Sequence, residues 1–142
     1  MAIREAKPWD AGIVRKVVER EIKRYNKLVP NWYKIDQLIS EAISSPRGFV
    51  LISEKEKLNG ALVAMSAESF WAERQTATLL LWDTQVPRDG WAMLRRLMAW
   101  VESRRAIKHV EIALPLDTDP RVGVLLGRCG LGRSDVIYRK FR

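Results

Sequence analysis

Cysteine and histidine are almost missing: Cys129 and His109 each stand alone among 142 residues. A lone cysteine has no partner for an intrachain disulfide, and one of each leaves a His/Cys metal site short of ligands. Long apolar runs are missing as well. No stretch approaches the roughly 20 residues that span a bilayer, and Met1-Ala2-Ile3-Arg4-Glu5 lacks the apolar core of a signal peptide. The expectation is a cytoplasmic protein. Negative charge is in deficit, with 17 acidic residues against 25 Lys and Arg and a net charge of +8. That excess favours anionic partners such as nucleic acid, acidic proteins or the phosphates of a nucleotide cofactor. The basic residues are scattered, however. Glu19, Glu21 and Glu102 interleave with them at helical spacing, which describes solvated faces better than a nucleic-acid surface. Internal repeats, low-complexity tracts and linkers are also absent, so residues 1–142 are expected to form one domain. A chain of this length buries roughly two thirds of its unfolded surface and needs no metal or disulfide staple.

What is present is a change of period along the chain. Residues 2–6 suit a short strand, and Pro8 and Asp10 supply helix-start signals, Asp10 as a cap for free amides. Ile13, Val14, Val17, Val18, Ile22 and Tyr25 then recur at three- and four-residue intervals, the stripe of an amphipathic helix. Pro30-Asn31 interrupts it. Ile35, Leu38, Ile39, Ala42 and Ile43 make a second helical stripe ending near Ser44-Ser45-Pro46. Apolar runs at 48–53 and 61–70 flank a charged turn, with Asn59-Gly60 offering the positive φ angles of a tight hairpin. Residues 76–82 (TATLLLW) are apolar enough for a central strand covered on both faces. A helix over 90–104 carries Met93, Leu94, Leu97, Met98 and Val101, and a strand follows over 109–114. Asp119-Pro120 opens a short helix with Val122, Leu125, Leu126 and Cys129 on one side and Gly130 at its end. Val136, Tyr138 and Lys140 alternate with Ile137, Arg139 and Phe141 in a last strand over 135–141.

This order of elements resembles the GNAT (N-acetyltransferase) superfamily over essentially the whole chain. The most specific part is 76–101. In that family the central strand ends in a Q/R-x-x-G-x-G/A loop and turns into a helix matching Leu94, Leu97 and Trp100. The loop then falls on Gln85-Val86-Pro87-Arg88-Asp89-Gly90. The resemblance implies that backbone N–H groups at this helix start hold the pyrophosphate of CoA. Two departures stand out: Arg88 replaces the middle glycine, and Pro87 has no N–H to give. Arg88 compensates if its guanidinium reaches phosphate directly; otherwise it points outward. A second family signature, Asn-x-x-Ala with a later Tyr and Gly-Phe, aligns Asp119 with the Asn and Leu126 with the Tyr. Leucine cannot donate a proton, so the acid on the leaving thiolate is another group or water. Asp119-Pro120-Arg121-Val122 and Trp82 look similar to GNAT-like proteins encoded by tailed phages.

The resemblance implies an α/β (α+β) domain whose mixed sheet has about six or seven strands flanked by about four helices. It also implies an acyl-CoA-dependent N-acyltransferase that passes an acetyl group from acetyl-CoA to an amine, on a small molecule or a protein. A Glu usually assists by taking the proton of the amine. Glu73 stands just before the central strand, close to where some members carry that base; Glu68 and Asp83 are further carboxylates, and all three also read as loop or turn residues. Cofactor contacts are assigned to Trp82, Gln85, Val86, Arg88, Asp89, Gly90, Trp91 and Asp119, and no metal is implied. Trp71, Trp82 and Trp91 flank the expected cleft, where stacking on adenine competes with plain packing. A second function class keeps the fold and loses the chemistry: a binding or structural protein, for instance a phage virion or assembly component held in an oligomer.

Overall fold

The computed structural model describes residues 3–24, 29–55 and 58–140. The chain divides into two compact units, Met1–Ile112 and Ala113–Arg142. In the first, β1 (Ile3–Glu5), β2 (Gly48–Lys55), β3 (Leu58–Glu68), β4 (Gln75–Asp83) and β5 (Ile107–Ile112) lie side by side in chain order. The first three junctions are antiparallel and β4–β5 is parallel, so the sheet is mixed. The helices α1 (Ala11–Ile22), α2 (Trp32–Ser44) and α3 (Pro87–Ser103) belong to the same unit. The second unit contains α4 (Pro120–Arg128), ended by Gly130 at φ 87° with Leu131 N–H bonded back to the Leu126 carbonyl at 3.1 Å.

Burial follows the two periods. Val14 and Val17 of α1 and Ile39 and Ala42 of α2 pack on Val50, Ile52, Ala61, Val63 and Leu81 of the sheet. The α3 stripe of Met93, Leu94, Leu97 and Val101 is buried, as are Phe49, Leu51 and Leu62, the residues whose alternation puts them on the opposite sheet face. Each aliphatic side chain fully removed from water stabilises the fold by roughly 1.5–3 kcal/mol before entropy is counted. Tyr25, expected to extend the α1 stripe, lies outside the described residues, as do Ala2 and Phe141.

Three expectations are corrected. The hairpin turn is not at Asn59-Gly60: both residues lie in β3, paired with Glu54 and Ser53, and the pairing runs on to Lys55↔Leu58. Residues 56 and 57 lie outside the described residues. Among the described residues the sheet has five strands rather than six or seven, and residues 131–140 form none. Val136, Ile137 and Tyr138 there are 62%, 60% and 92% exposed. Alternation gives a strand its two faces, but its N–H and C=O groups also need an adjoining edge. Finally, the Asp10 side chain caps no α1 amide. It is buried and accepts two guanidinium bonds from Arg4, at 2.7 and 2.9 Å, and the Lys7 N–H at 2.7 Å. The Arg4 bonds hold its carboxyl below the usual aspartate range against the opposing cost of burial. This contact therefore stabilises above the ordinary carboxylate range, and its contribution is lost as pH falls through the lowered value.

Gly48, at the start of β2, is pressed against α2: a Cβ there would collide with the backbone carbonyl of Ala42. Gly48→Ala is expected to cost about 2 kcal/mol or more, because backbone on both sides must move. Gly12 is the control, an exposed α1 residue where a Cβ meets nothing within 4 Å. Gly12→Ala should gain a few tenths to about 1 kcal/mol. Urea unfolding of the two variants measures both signs.

Candidate functional site

The apolar run of β4 hides an irregularity that fixes everything at its far end. Val63 faces Leu81 and Ala64 faces Leu79, so Leu80 is an extra residue with no opposite number on β3. A bulge of this kind reverses the alternation beyond it. Leu81 thus joins the α1/α2 core, although Leu79, two residues earlier, pairs with Ala64 on the α3 face. Trp82 and Asp83 are sent to opposite faces.

On the α3 face, Trp82 donates its indole N–H to the Gly90 carbonyl at 3.0 Å. Gly90 is buried, and a Cβ on it would stand 3.0 Å from Thr84 Oγ1 and 3.5 Å from Trp82 Nε1. Its smallness lets the first turn of α3 sit against the end of β4. Thr84 donates its hydroxyl to the Val86 carbonyl at 3.0 Å, which also accepts the N–H groups of Asp89 at 3.0 Å and Gly90 at 3.3 Å. On the other face, Asp83 lies with its side chain 10% exposed, bonded by Arg20 Nε at 3.1 Å, while Arg20 Nη2 donates to the Asn59 carbonyl at 3.0 Å. The neighbouring Glu21 carboxyl is pushed up, first by burial and then by its contact with Asp83, with Arg24 and Arg20 pulling the other way.

Beyond the pair Leu79↔Ile112, residues 80–83 of β4 have no partner on the β5 side among the described residues. A free strand edge offers N–H and C=O groups to an extended, amide-bearing ligand. It leads directly into the start of α3.

Of the expected contacts, Trp82, Gln85, Val86, Arg88, Asp89, Gly90 and Trp91 do gather at this junction, which is a helix start rather than an open loop. α3 begins at Pro87, three residues before the expected Gly90. Gln85 and Arg88 are exposed, and Trp91 is half-buried. Asp119 lies in the second unit, where it caps α4 through the Arg121 N–H at 2.9 Å and pairs with the Arg121 guanidinium at 2.7 Å. Glu73 and Trp71 are exposed at the opposite end of β4, roughly 26 Å of strand away from the α3 start. Arg20 and Glu21, which the spacing assigns to a solvated face, and Thr84 are the residues that sequence reasoning misses. A polar helical face carries no mark of the strand end that meets it.

No protein-family model matches the chain, and no curated protein matches its sequence. Solved structures do match. A putative acetyltransferase from Arthrobacter sp. FB24 superposes with TM-score 0.70 at 19% identity, covering 99% of this chain and 96% of its own. A possible acetyltransferase from Clostridium difficile 630 gives 0.68 at 11%, covering 99% and 95%. An aminoglycoside acetyltransferase from an uncultured soil metagenomic sample, in complex with sisomicin, gives 0.64 at 12%, covering 99% and 94%. At such identities the likeness fixes the fold: the chain has the α+β fold of GNAT-type acetyltransferases.

Because Glu21 titrates above the ordinary glutamate range, its charge opposes folding near neutrality. The resulting stability gain appears as pH falls through the raised value and is complete below the ordinary one. Glu21→Gln is expected to raise the melting temperature at pH 7 and to flatten the gain seen in the wild type on acidification. Melting scans from neutrality down to the ordinary glutamate range test this.

Proposed function

We propose that the protein is an acyl-CoA-dependent N-acyltransferase, with residues 1–142 acting as one domain and acetyl-CoA passing its acetyl group to an amine. The observation that carries the proposal is the free edge of β4 at residues 80–83 running into the α3 start. That edge suits the amide-bearing arm of CoA, and its backbone N–H groups suit the polarisation of a thioester carbonyl. The helix start suits phosphate less through its amides than through a side chain. Pro87 has no N–H, the Asp89 and Gly90 N–H groups turn back to Val86, and the Asp89 carboxylate adds negative charge. Arg88 is exposed at this turn and supplies a charge-assisted bond to phosphate in their place. Gln85, Val86, Trp82 and Trp91 shape the same junction.

In the reaction the amine nitrogen, freed of a proton, attacks the thioester carbon. The C–N bond forms, the C–S bond breaks, and the electron pair leaves on the thiolate. Glu73, the base expected from sequence, lies roughly 26 Å of strand from the α3 start, and β4 is paired on both sides over residues 75–79, so the amine attacking at residues 80–83 gives its proton to water instead. The thiolate takes its proton from solvent, since Leu126, aligned with the family's tyrosine, has none to give. An aminoglycoside, as bound by one structural neighbour, is one form of small-molecule amine acceptor to test.

A second reading is favoured by the departures at Pro87, Arg88 and Leu126: a GNAT-fold binding or structural protein, for example in a phage particle, that has no turnover. Titration calorimetry with acetyl-CoA separates the two. Binding is expected, with Arg88→Ala weakening it by about tenfold to a hundredfold, the worth of a charge-assisted bond. No heat and no rise in melting temperature at millimolar acetyl-CoA rejects the acyltransferase, because a ligand of the folded state must stabilise it.

A further inference from the structure

The end of the sheet away from the α3 start has a character of its own. Between β3 and β4 a short loop is tied by Ser69 N–H to the Arg74 carbonyl at 2.7 Å and by Arg74 N–H to the Ala72 carbonyl at 2.8 Å. It holds Phe70 and Trp71 out into solvent, 88% and 89% exposed, with their rings edge to face at 4.8 Å. Two large aromatic side chains held in water forgo the burial that would stabilise them, and exposed ring faces are what a stacking ligand uses.

Arginines from separate elements are brought to the same end of the sheet. Arg74 belongs to the loop itself. Gln75 N–H bonds the Ala106 carbonyl at 3.0 Å, bringing the exposed Arg104-Arg105 turn alongside. Ser66 N–H bonds the Arg47 carbonyl at 2.8 Å, bringing Arg47 to the same end. Here too opens a cleft of about 370 Å³ whose lining includes Phe49 and Trp100, stacked at 5.1 Å, with the Arg104 guanidinium 5.6 Å from the Trp100 ring. The carboxylates at this end, Glu5, Glu68, Glu73 and Glu102, are fewer than the cations Lys7, Arg47, Arg74, Arg104, Arg105 and Lys108, and the whole chain carries +8. The basic residues scattered in sequence are therefore partly collected by the fold.

We infer that this end of the sheet binds single-stranded nucleic acid, with bases stacking on Phe70 and Trp71 and phosphates meeting Arg47, Arg74, Arg104 and Arg105. Arginine rather than lysine suits phosphate, because its planar fork bonds two oxygens at once. An anionic membrane surface is the competing occupant; it is less suited because the loop offers only Phe70 and Trp71 as large apolar side chains to insert, whereas stacking needs no more than their ring faces.

The test uses the full chain and a fluorescently labelled oligothymidylate of about 20 nucleotides, followed by anisotropy across a salt series. Binding is expected, falling steeply as salt rises. The double variant Phe70→Ala/Trp71→Ala should weaken it by roughly tenfold or more, as should Arg74→Glu/Arg105→Glu. Lys16→Glu, an exposed α1 change that also lowers the net charge, should have a smaller effect than either. These residues are exposed, so unchanged melting temperatures accompany the expected result. The inference is overturned by no binding at low salt, by binding the double aromatic variant retains, or by equal loss in Lys16→Glu. Co-sedimentation with phosphatidylserine vesicles, without oligonucleotide binding, gives the surface to a membrane and overturns it as well.

Discussion

The bulge at Leu80 is the constraint on which the candidate site depends. Without it, Leu79, Leu81 and Asp83 would share one face and Trp82 would turn to the other core. With it, β4 serves two different environments along its length. Leu81 fills the α1/α2 core, Asp83 meets Arg20, and Trp82 reaches the Gly90 carbonyl. The same extra residue sits where β4 leaves the company of β5, since the last parallel pair is Leu79↔Ile112. A strand that bends at this point both exposes its edge and aims the following turn. The edge and the helix start are thus one structural device, set by one inserted residue.

The device is braced from both faces. Trp82 and the smallness of Gly90 hold the first turn of α3 down on one side. Arg20, spanning Asp83 and the Asn59 carbonyl, ties the end of α1 to β3 and β4 on the other. An unpaired carboxylate as buried as Asp83 would be costly, and Arg20 makes it tolerable. Glu21 beside it is less well served, which is why its proton is held more tightly than that of an ordinary glutamate. Both braces use polar groups that the core does not require. They are there to fix where β4 ends.

Much of the scaffold was legible in the sequence because it rests on periodicity. The stripes Val14/Val17, Ile39/Ala42 and Met93/Leu94/Leu97/Val101 are buried as their spacing requires. The errors have a common origin in information that is not local. Thr-Ala-Thr-Leu-Leu-Leu-Trp gives no phase, since a run apolar on every residue fits either face, and only pairing with Val63 and Ala64 reveals the bulge. Asn59-Gly60 has the composition of a turn, yet both residues pair within the ladder of β2 and β3. The start of α3 carried its own signals, proline at the first helical position and an acid in the first turn. Those signals agree with a helix beginning at Pro87, whereas alignment to a glycine-rich loop delays it to Gly90. Residues 135–140 alternate as a strand does, but alternation says nothing of whether an edge is there to receive them.

These points bear on how a phosphate would be met at the α3 start. A glycine-rich turn binds an anion with several convergent N–H groups whose positions are set by the backbone, so its strength survives changes of side chain. Here Pro87 removes one donor, and the Asp89 and Gly90 N–H groups point back to the Val86 carbonyl. Such N–H groups cannot serve an external anion without giving up a bond the helix uses. The Asp89 carboxylate interacts favourably with the positive helix end that an incoming phosphate would otherwise occupy. What remains is the single Arg88 N–H, which the first turn leaves without a helical partner, and the Arg88 guanidinium: a strong donor, but one on a flexible stem that must be ordered on binding. Recognition at this turn therefore shifts from backbone geometry to one side chain, and with it from a site built by folding to one completed by the ligand.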